Sequence, residues 1–197
     1  MRSGLHKGTV QSFFTWWDGP NWDYNEWNEI DWELAPSTSE TTFTNLYYGT
    51  GSYRANLDQY INTDVDLTQF HTYEIEWTPH HVIWRFDNYE VRRVEDPAVL
   101  VHLDKYKTLM MNFWVPTFNP WNIDFDPSGW PWQAHYDWVE FSTYNTSNGQ
   151  FELQWKDEFD SLDDTNRWFV SDGWTFESND VTFVRSNVFV ENGELVL

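Results

Sequence analysis

Cysteine is absent from the 197 residues. That excludes disulfides and thiol chemistry, though it does not fix a compartment. Cations are scarce: 11 Lys and Arg stand against 32 Asp and Glu, a net charge of −21. Nucleic-acid binding needs Lys and Arg to displace counterions from phosphates, so no nucleic-acid partner is expected. Strongly anionic polymers are disfavoured for a related reason, and a neutral ligand fits better. No apolar run approaches the ~18 residues of a membrane span, so no membrane partner is expected either. The opening MRSGLHKGTV lacks the apolar segment of a signal peptide. There is no Gly-rich phosphate loop, no nucleophile elbow and no H-E-x-x-H. His80-His81 lies near an expected turn, and His6, His71, His102 and His135 are isolated, a pattern of surface or hydrogen-bonded core histidines.

Aromatic residues, in contrast, make up 20 % of the chain, and its 15 tryptophans exceed what a core of this size uses. Such rings either pack between sheets or stack on a flat, neutral ligand such as a sugar. The apolar pattern is mostly of period two. HTYEIEWTP alternates until Pro79 breaks it; HVIWRF and YEVRRV flank Asp87-Asn88 as a hairpin; KTLMMNFWV and HYDWVEF are further strands. No stretch sustains a 3.6-residue period, so long helices are not expected. The chain is read as one domain over 1–197, an all-β antiparallel sandwich of jelly-roll type. The polar, turn-rich STYNTSNGQ, Ser142 to Gln150, is expected to join two parts of one core. Its Asn145-Thr-Ser is also a glycosylation sequon, a pattern that arises often by chance.

One strand stands apart. WNEIDWELAP places Glu29, Asp31 and Glu33 on one face and Ile30, Trp32 and Leu34 on the other. The spacing alone fits two readings, a solvated strand face or acids held together for chemistry. Four residues of strand span ~13 Å, a gap that two converging Glu side chains can largely close. Glycosidases set their paired carboxyls ~5–5.5 Å apart when retaining and ~6.5–9.5 Å when inverting, and spacing does not choose between them. Crowded like charges resist full ionisation, so at least one pKa is expected to rise, giving a proton donor beside an ionised nucleophile. Trp16, Trp17, Trp22, Tyr24 and Trp27 surround the acids in sequence and favour a sugar cleft.

GTVQSFFTW, WNEIDWELAP, FHTYEIEWTPHHVIWRFDNYEVRR, LMMNFW and HYDWVEF together resemble glycoside hydrolase family 16, most closely its bacterial lichenases, the endo-1,3-1,4-β-glucanases. The resemblance implies a jelly roll with a concave cleft and double displacement with retention. Glu29 would be the nucleophile, Glu33 the general acid/base, and Asp31 would tune the nucleophile. Trp27, Asn112 and Trp114 match residues that contact the sugar near the cut. Trp16 and Tyr47 match cleft positions, and Trp174 and Phe176 fall in a stretch that stacks on glucose in some relatives. For each ring, core packing is the alternative. No catalytic cofactor is implied. A structural calcium is, with Asp137 matching its carboxylate ligand and Gly193 one carbonyl ligand. The implied partner is a β-glucan, acted on by a monomer that is secreted.

The order along the chain departs from the usual one. Residues 151–197 resemble the family's N-terminal part and 1–141 its C-terminal part, so the chain resembles a circular permutant joined at 142–150. About two strands of the family pattern, with an acid and an arginine of the cleft wall, match nothing in the sequence, which suggests truncation. Trp32 and LAPS also depart from the usual ending of the motif. The unbulged E-I-D-W-E resembles lichenases and plant xyloglucan enzymes; laminarinases, agarases and carrageenases usually carry an extra residue before the last Glu. A non-catalytic glucan-binding sandwich, action on laminarin or xyloglucan, and transglycosylation are the alternatives.

Overall fold

The computed structural model describes residues 1–4, 6–17, 26–35, 41–118, 121 and 125–197. Trp22 and Tyr24 lie outside the described residues. The strands are β1 (Val10–Trp16), β2 (Glu26–Leu34), β3 (Thr41–Thr50), β4 (Ala55–Asn62), β5 (Tyr73–Thr78), β6 (His81–Phe86), β7 (Tyr89–Val94), β8 (Thr108–Trp114), β9 (His135–Tyr136), β10 (Val139–Asn145), β11 (Gln150–Asp157), β12 (Phe189–Glu191) and β13 (Glu194–Val196). Every pairing between them is antiparallel. Among the described residues the one α-helix is the single turn α1 (Pro97–Leu100).

A five-stranded sheet, ordered β4-β3-β2-β1-β8, carries the acids. Smaller sheets, β5-β6-β7 and β12-β13-β9, supply the opposing layer, and β10-β11 forms a hairpin. Alternation decides what meets across the layers. Ile30, Trp32 and Leu34 of β2 and Leu46 of β3 point inward and pack with Val82, Trp84 and Phe86 of β6. Phe13 of β1 and Leu109 and Met111 of β8 point the same way, against Tyr136, Leu195 and Phe159. Trp32, with no exposed surface, satisfies its indole N–H by donating to Thr42 Oγ1 at 2.7 Å, as a buried polar group must.

The hairpin expected at Asp87-Asn88 forms, and both residues have positive φ, 47° and 69°, the signature of a two-residue turn that follows strand twist. HYDWVEF is not one strand: it breaks at Asp137-Trp138 between β9 and β10. The expected joint 142–150 is mostly strand. Ser142–Asn145 belongs to β10, Gln150 opens β11, and the turn is 146–149. Polar residues suit these strands because the hairpin is largely exposed. Arg2 bridges to His135, and Met1 accepts the His71 amide N–H, so the first residues lie between β9 and the lead-in to β5.

Candidate active site

Register builds the cleft face. Glu29, Asp31 and Glu33 stand opposite Trp16, Phe14 and Ser12 on β1 and opposite Tyr47, Asn45 and Phe43 on β3. Neither pairing shifts along this stretch. The three acids therefore share one face without a bulge, as alternation predicts. They are not a fully solvated face: Glu29 is 9 % exposed and Asp31 3 %, and Glu33 is half-buried. Glu29 accepts the Trp27 indole N–H at 2.5 Å, and Glu33 Oε1 accepts the Ser12 hydroxyl at 3.1 Å.

Burial dominates the electrostatics. It pushes the Glu29 carboxyl up to about 7, opposed by hydrogen bonds from Trp27 and Asp31. Glu33 is pushed up to about 8, again by burial first and then by the Glu29 charge, with Ser12 opposing. Asp31 is raised well above its ordinary range by burial and by its two neighbours, while the buried Arg92 opposes. With all three carboxyls raised, the cluster does not ionise fully near neutral pH and can keep a proton donor beside a carboxylate, the division of labour that acid-assisted displacement needs.

The floor is anchored from the other layer. Trp84 Nε1 donates to the Asp31 carbonyl at 2.9 Å. Arg92 lies 4.4 Å over the Trp84 ring and donates to Thr44 O, Thr44 Oγ1 and Leu57 O. Tyr136 Oη donates to Ser12 O at 2.7 Å and to Asn112 O at 3.3 Å. Ser12, Trp84, Arg92 and Tyr136 were not marked by the sequence reading. Only Ser12 left a signal, since VQSFFTW puts Ser12, Phe14 and Trp16 on one face.

The aromatic residues form two groups. At the Glu29 end, Trp27 stacks on Tyr47 (4.3 Å, 9°) and meets Trp16 edge-on at 6.4 Å, with Arg54 5.5 Å from the Trp27 ring. Beyond Glu33, Val10, Ala35 and Trp114 of the same face are covered by Trp121, Phe176, Val181 and Phe183. Trp114 is 7 % exposed, tilted against Phe176 at 5.1 Å. Trp174, 49 % exposed, is the open ring of this group and stacks on Phe183. Asn112, opposite Ser12, keeps an Oδ1 without a hydrogen-bond partner among the described residues. The structure thus brings together Glu29, Asp31, Glu33, Trp16, Trp27, Tyr47 and Asn112, and places Trp114, Trp174 and Phe176 in the wall past Glu33.

Asp137 and Gly193 lie away from this face. Asp137 is exposed between β9 and β10. Gly193, with φ 78°, turns β12 into β13. Tyr136 pairs with Leu195, so continuing that register sets Asp137 beside Glu194, next to Gly193. Oxygen donors suit calcium, but one carboxylate and one carbonyl fall short of its usual 6–8 ligands, leaving most of the shell to water. No cluster of three or more His, Asp or Glu suited to a metal occurs among the described residues.

The fold and the face define a two-layered antiparallel β-sandwich with paired carboxyls set among aromatic rings. The chain belongs to glycosyl hydrolases family 16, whose model matches residues 1–157. It is 31 % identical over 203 residues to a beta-glucanase of Fibrobacter succinogenes, covering 100 % of this chain and 57 % of that one. It is 30 % identical over 146 residues to a beta-glucanase of Paenibacillus polymyxa, covering 73 % of this chain and 57 % of that one. The chain therefore spans little more than half the length of these relatives. Among solved structures, it is similar to the Bacillus licheniformis beta-glucanase with TM-score 0.51 and 23 % identity, over 64 % of this chain and 56 % of that one, a likeness of fold.

Proposed function

We propose that this chain is a retaining endo-β-glucanase that hydrolyses mixed-linkage 1,3-1,4-β-glucan. The observation that carries the reading is the pair of buried Glu29 and half-buried Glu33, with carboxyls raised to about 7 and about 8 on an aromatic-flanked face. In the first step the Glu29 carboxylate attacks the anomeric carbon as the glycosidic C–O bond breaks, and the Glu33 proton passes to the departing oxygen. In the second, Glu33 as carboxylate takes a proton from water. The water oxygen attacks the same carbon and releases Glu29. Asp31 donates its hydrogen bond to Glu29 as charge returns to it. Trp16, Trp27, Tyr47 and the open face of Trp174 offer sugar-stacking surface.

The beta-glucanase relatives support a β-glucan over agar, and the unbulged register of Glu29, Asp31 and Glu33 favours the mixed-linkage choice over laminarin. Reducing-sugar release from lichenan, laminarin, xyloglucan and agarose tests it, and lichenan should be cut fastest. Binding without cleavage would favour a glucan-binding sandwich instead, and faster cutting of laminarin or xyloglucan would reassign the substrate. Sugar acceptors in excess would expose transglycosylation. The permuted order is also proposed; the family model ends at residue 157, short of most of the segment that resembles the family's N-terminal part. Secretion and a monomeric state are likewise proposed.

The pH profile follows from the same pair. Activity needs Glu29 ionised and Glu33 protonated, and both carboxyls are raised, so the pair should give a bell displaced upward from the ordinary carboxylate range towards neutral pH. Trp27→Phe removes the donor that favours ionised Glu29. A hydrogen bond to a charged group contributes ~1.5–3 kcal/mol, so the acidic limb should move up by about 1–2 pH units, narrowing the bell. An unmoved acidic limb would show that the indole N–H does not tune Glu29.

We further infer a weak structural calcium at Asp137 and Gly193. Millimolar calcium should then raise Tm by about 2 °C over EDTA, and Asp137→Asn should abolish the difference. No calcium-dependent shift in the unsubstituted protein would remove this site.

A further inference from the structure

Ser12 has no place in the chemistry so far, yet its setting is unusually constrained. It is 2 % exposed, directly opposite Glu33 on β1 and opposite Asn112 on β8. Its hydroxyl donates to Glu33 Oε1 at 3.1 Å. Its own carbonyl accepts the hydroxyl of Tyr136, a fully buried side chain of the opposing layer, at 2.7 Å. The same Tyr136 hydroxyl reaches the Asn112 carbonyl. A two-layer clamp therefore holds the Ser12 backbone, and the Ser12 hydroxyl holds one oxygen of Glu33.

The consequence is chemical. A protonated carboxyl has one O–H and one carbonyl oxygen. The oxygen that accepts the Ser12 hydrogen bond acts as the carbonyl, so the acid's proton sits on the other. We propose that Ser12 is a positioning residue for Glu33, fixing Oε1 as acceptor so that Oε2 carries the proton delivered to the departing sugar oxygen. The inference rests on the acid/base role proposed for Glu33. In the second step the same hydrogen bond stabilises the Glu33 carboxylate that deprotonates water.

Other groups on this face do not replace it. Glu29 and Asp31 on β2 are acids, Tyr47 on β3 is held neutral by burial and by the three acids, and Asn112 on β8 does not titrate. Asp58 and Tyr60 on β4 stand one strand farther out, opposite Asn45 and Phe43. From the other layer, Tyr136 spends its hydroxyl on backbone, and Arg92 acts on Asp31.

Leaving-group dependence tests the proposal. A dinitrophenolate leaves without protonation, whereas a sugar hydroxyl does not. With the full chain, Ser12→Ala should lower kcat/KM on lichenan about tenfold and leave kcat/KM on a dinitrophenyl β-glucan oligosaccharide within about twofold. The basic limb should move up by about half a pH unit, because a donor to the carboxylate is lost. Ser12→Thr, which keeps the hydroxyl, should restore the lichenan rate. If Ser12→Ala does not fold, the near-isosteric Ser12→Cys, a weak donor, takes its place. Equal losses on both substrates would reduce Ser12 to a structural role and overturn the proposal, as would full lichenan activity with an unmoved limb. Inactivity of the unsubstituted protein on both substrates would instead sink the function proposed above.

Discussion

Glu29→Gln should lower turnover of lichenan by about 10³-fold or more. The amide keeps the shape of the side chain and can still accept the Trp27 N–H, so the loss isolates the nucleophile from packing. It also removes the neighbouring charge that helps raise Glu33. The Glu33 pKa should therefore fall, and any residual activity should lose its basic limb at lower pH than in the unsubstituted protein. A melting curve near that of the parent would show the fold intact. Turnover within tenfold of the parent would mean that Glu29 is not the nucleophile.

Trp84→Ala should have the largest effect on stability. Trp84 is fully buried on β6, between the layers, and joins three things at once: the apolar core, the Arg92 guanidinium and the Asp31 carbonyl. Truncating a buried Trp costs about 3–5 kcal/mol, a large part of the ~5–15 kcal/mol that holds a typical domain. At ~2–4 °C per kcal/mol for a chain of this size, Tm should drop by about 6–20 °C. Trp84→Phe keeps much of the ring and should lose less stability, but it strips the Asp31 carbonyl of its donor. Glucanase activity should then fall more than melting does. A drop of only a degree or two for Trp84→Ala would show that the two layers do not depend on this contact.

How much of this was legible beforehand depends on the range of the contact. The acids' common face follows from period-two alternation within one strand, and the Asp87-Asn88 turn from local backbone preference. Both were readable. Burial of the acids was not, because alternation gives a face and not its surroundings. The Trp84 N–H on Asp31, Arg92 beneath the sheet and Tyr136 on Ser12 all cross between layers. No local pattern says which strands will stack. Trp114 illustrates the same point. Its motif marks a cleft position, but Phe176, 62 residues later in number, covers it. Polarity did not show that 142–150 is largely strand, since an exposed hairpin carries the same residues as a linker.

Double displacement through Glu29 leaves its mark on the configuration of the first-formed product. Proton NMR during cleavage of lichenan, before mutarotation, should show the newly released reducing end as the β-anomer, matching the bond that was cut. An α-anomer appearing first would mean single displacement with inversion, and would contradict the roles assigned to Glu29 and Glu33.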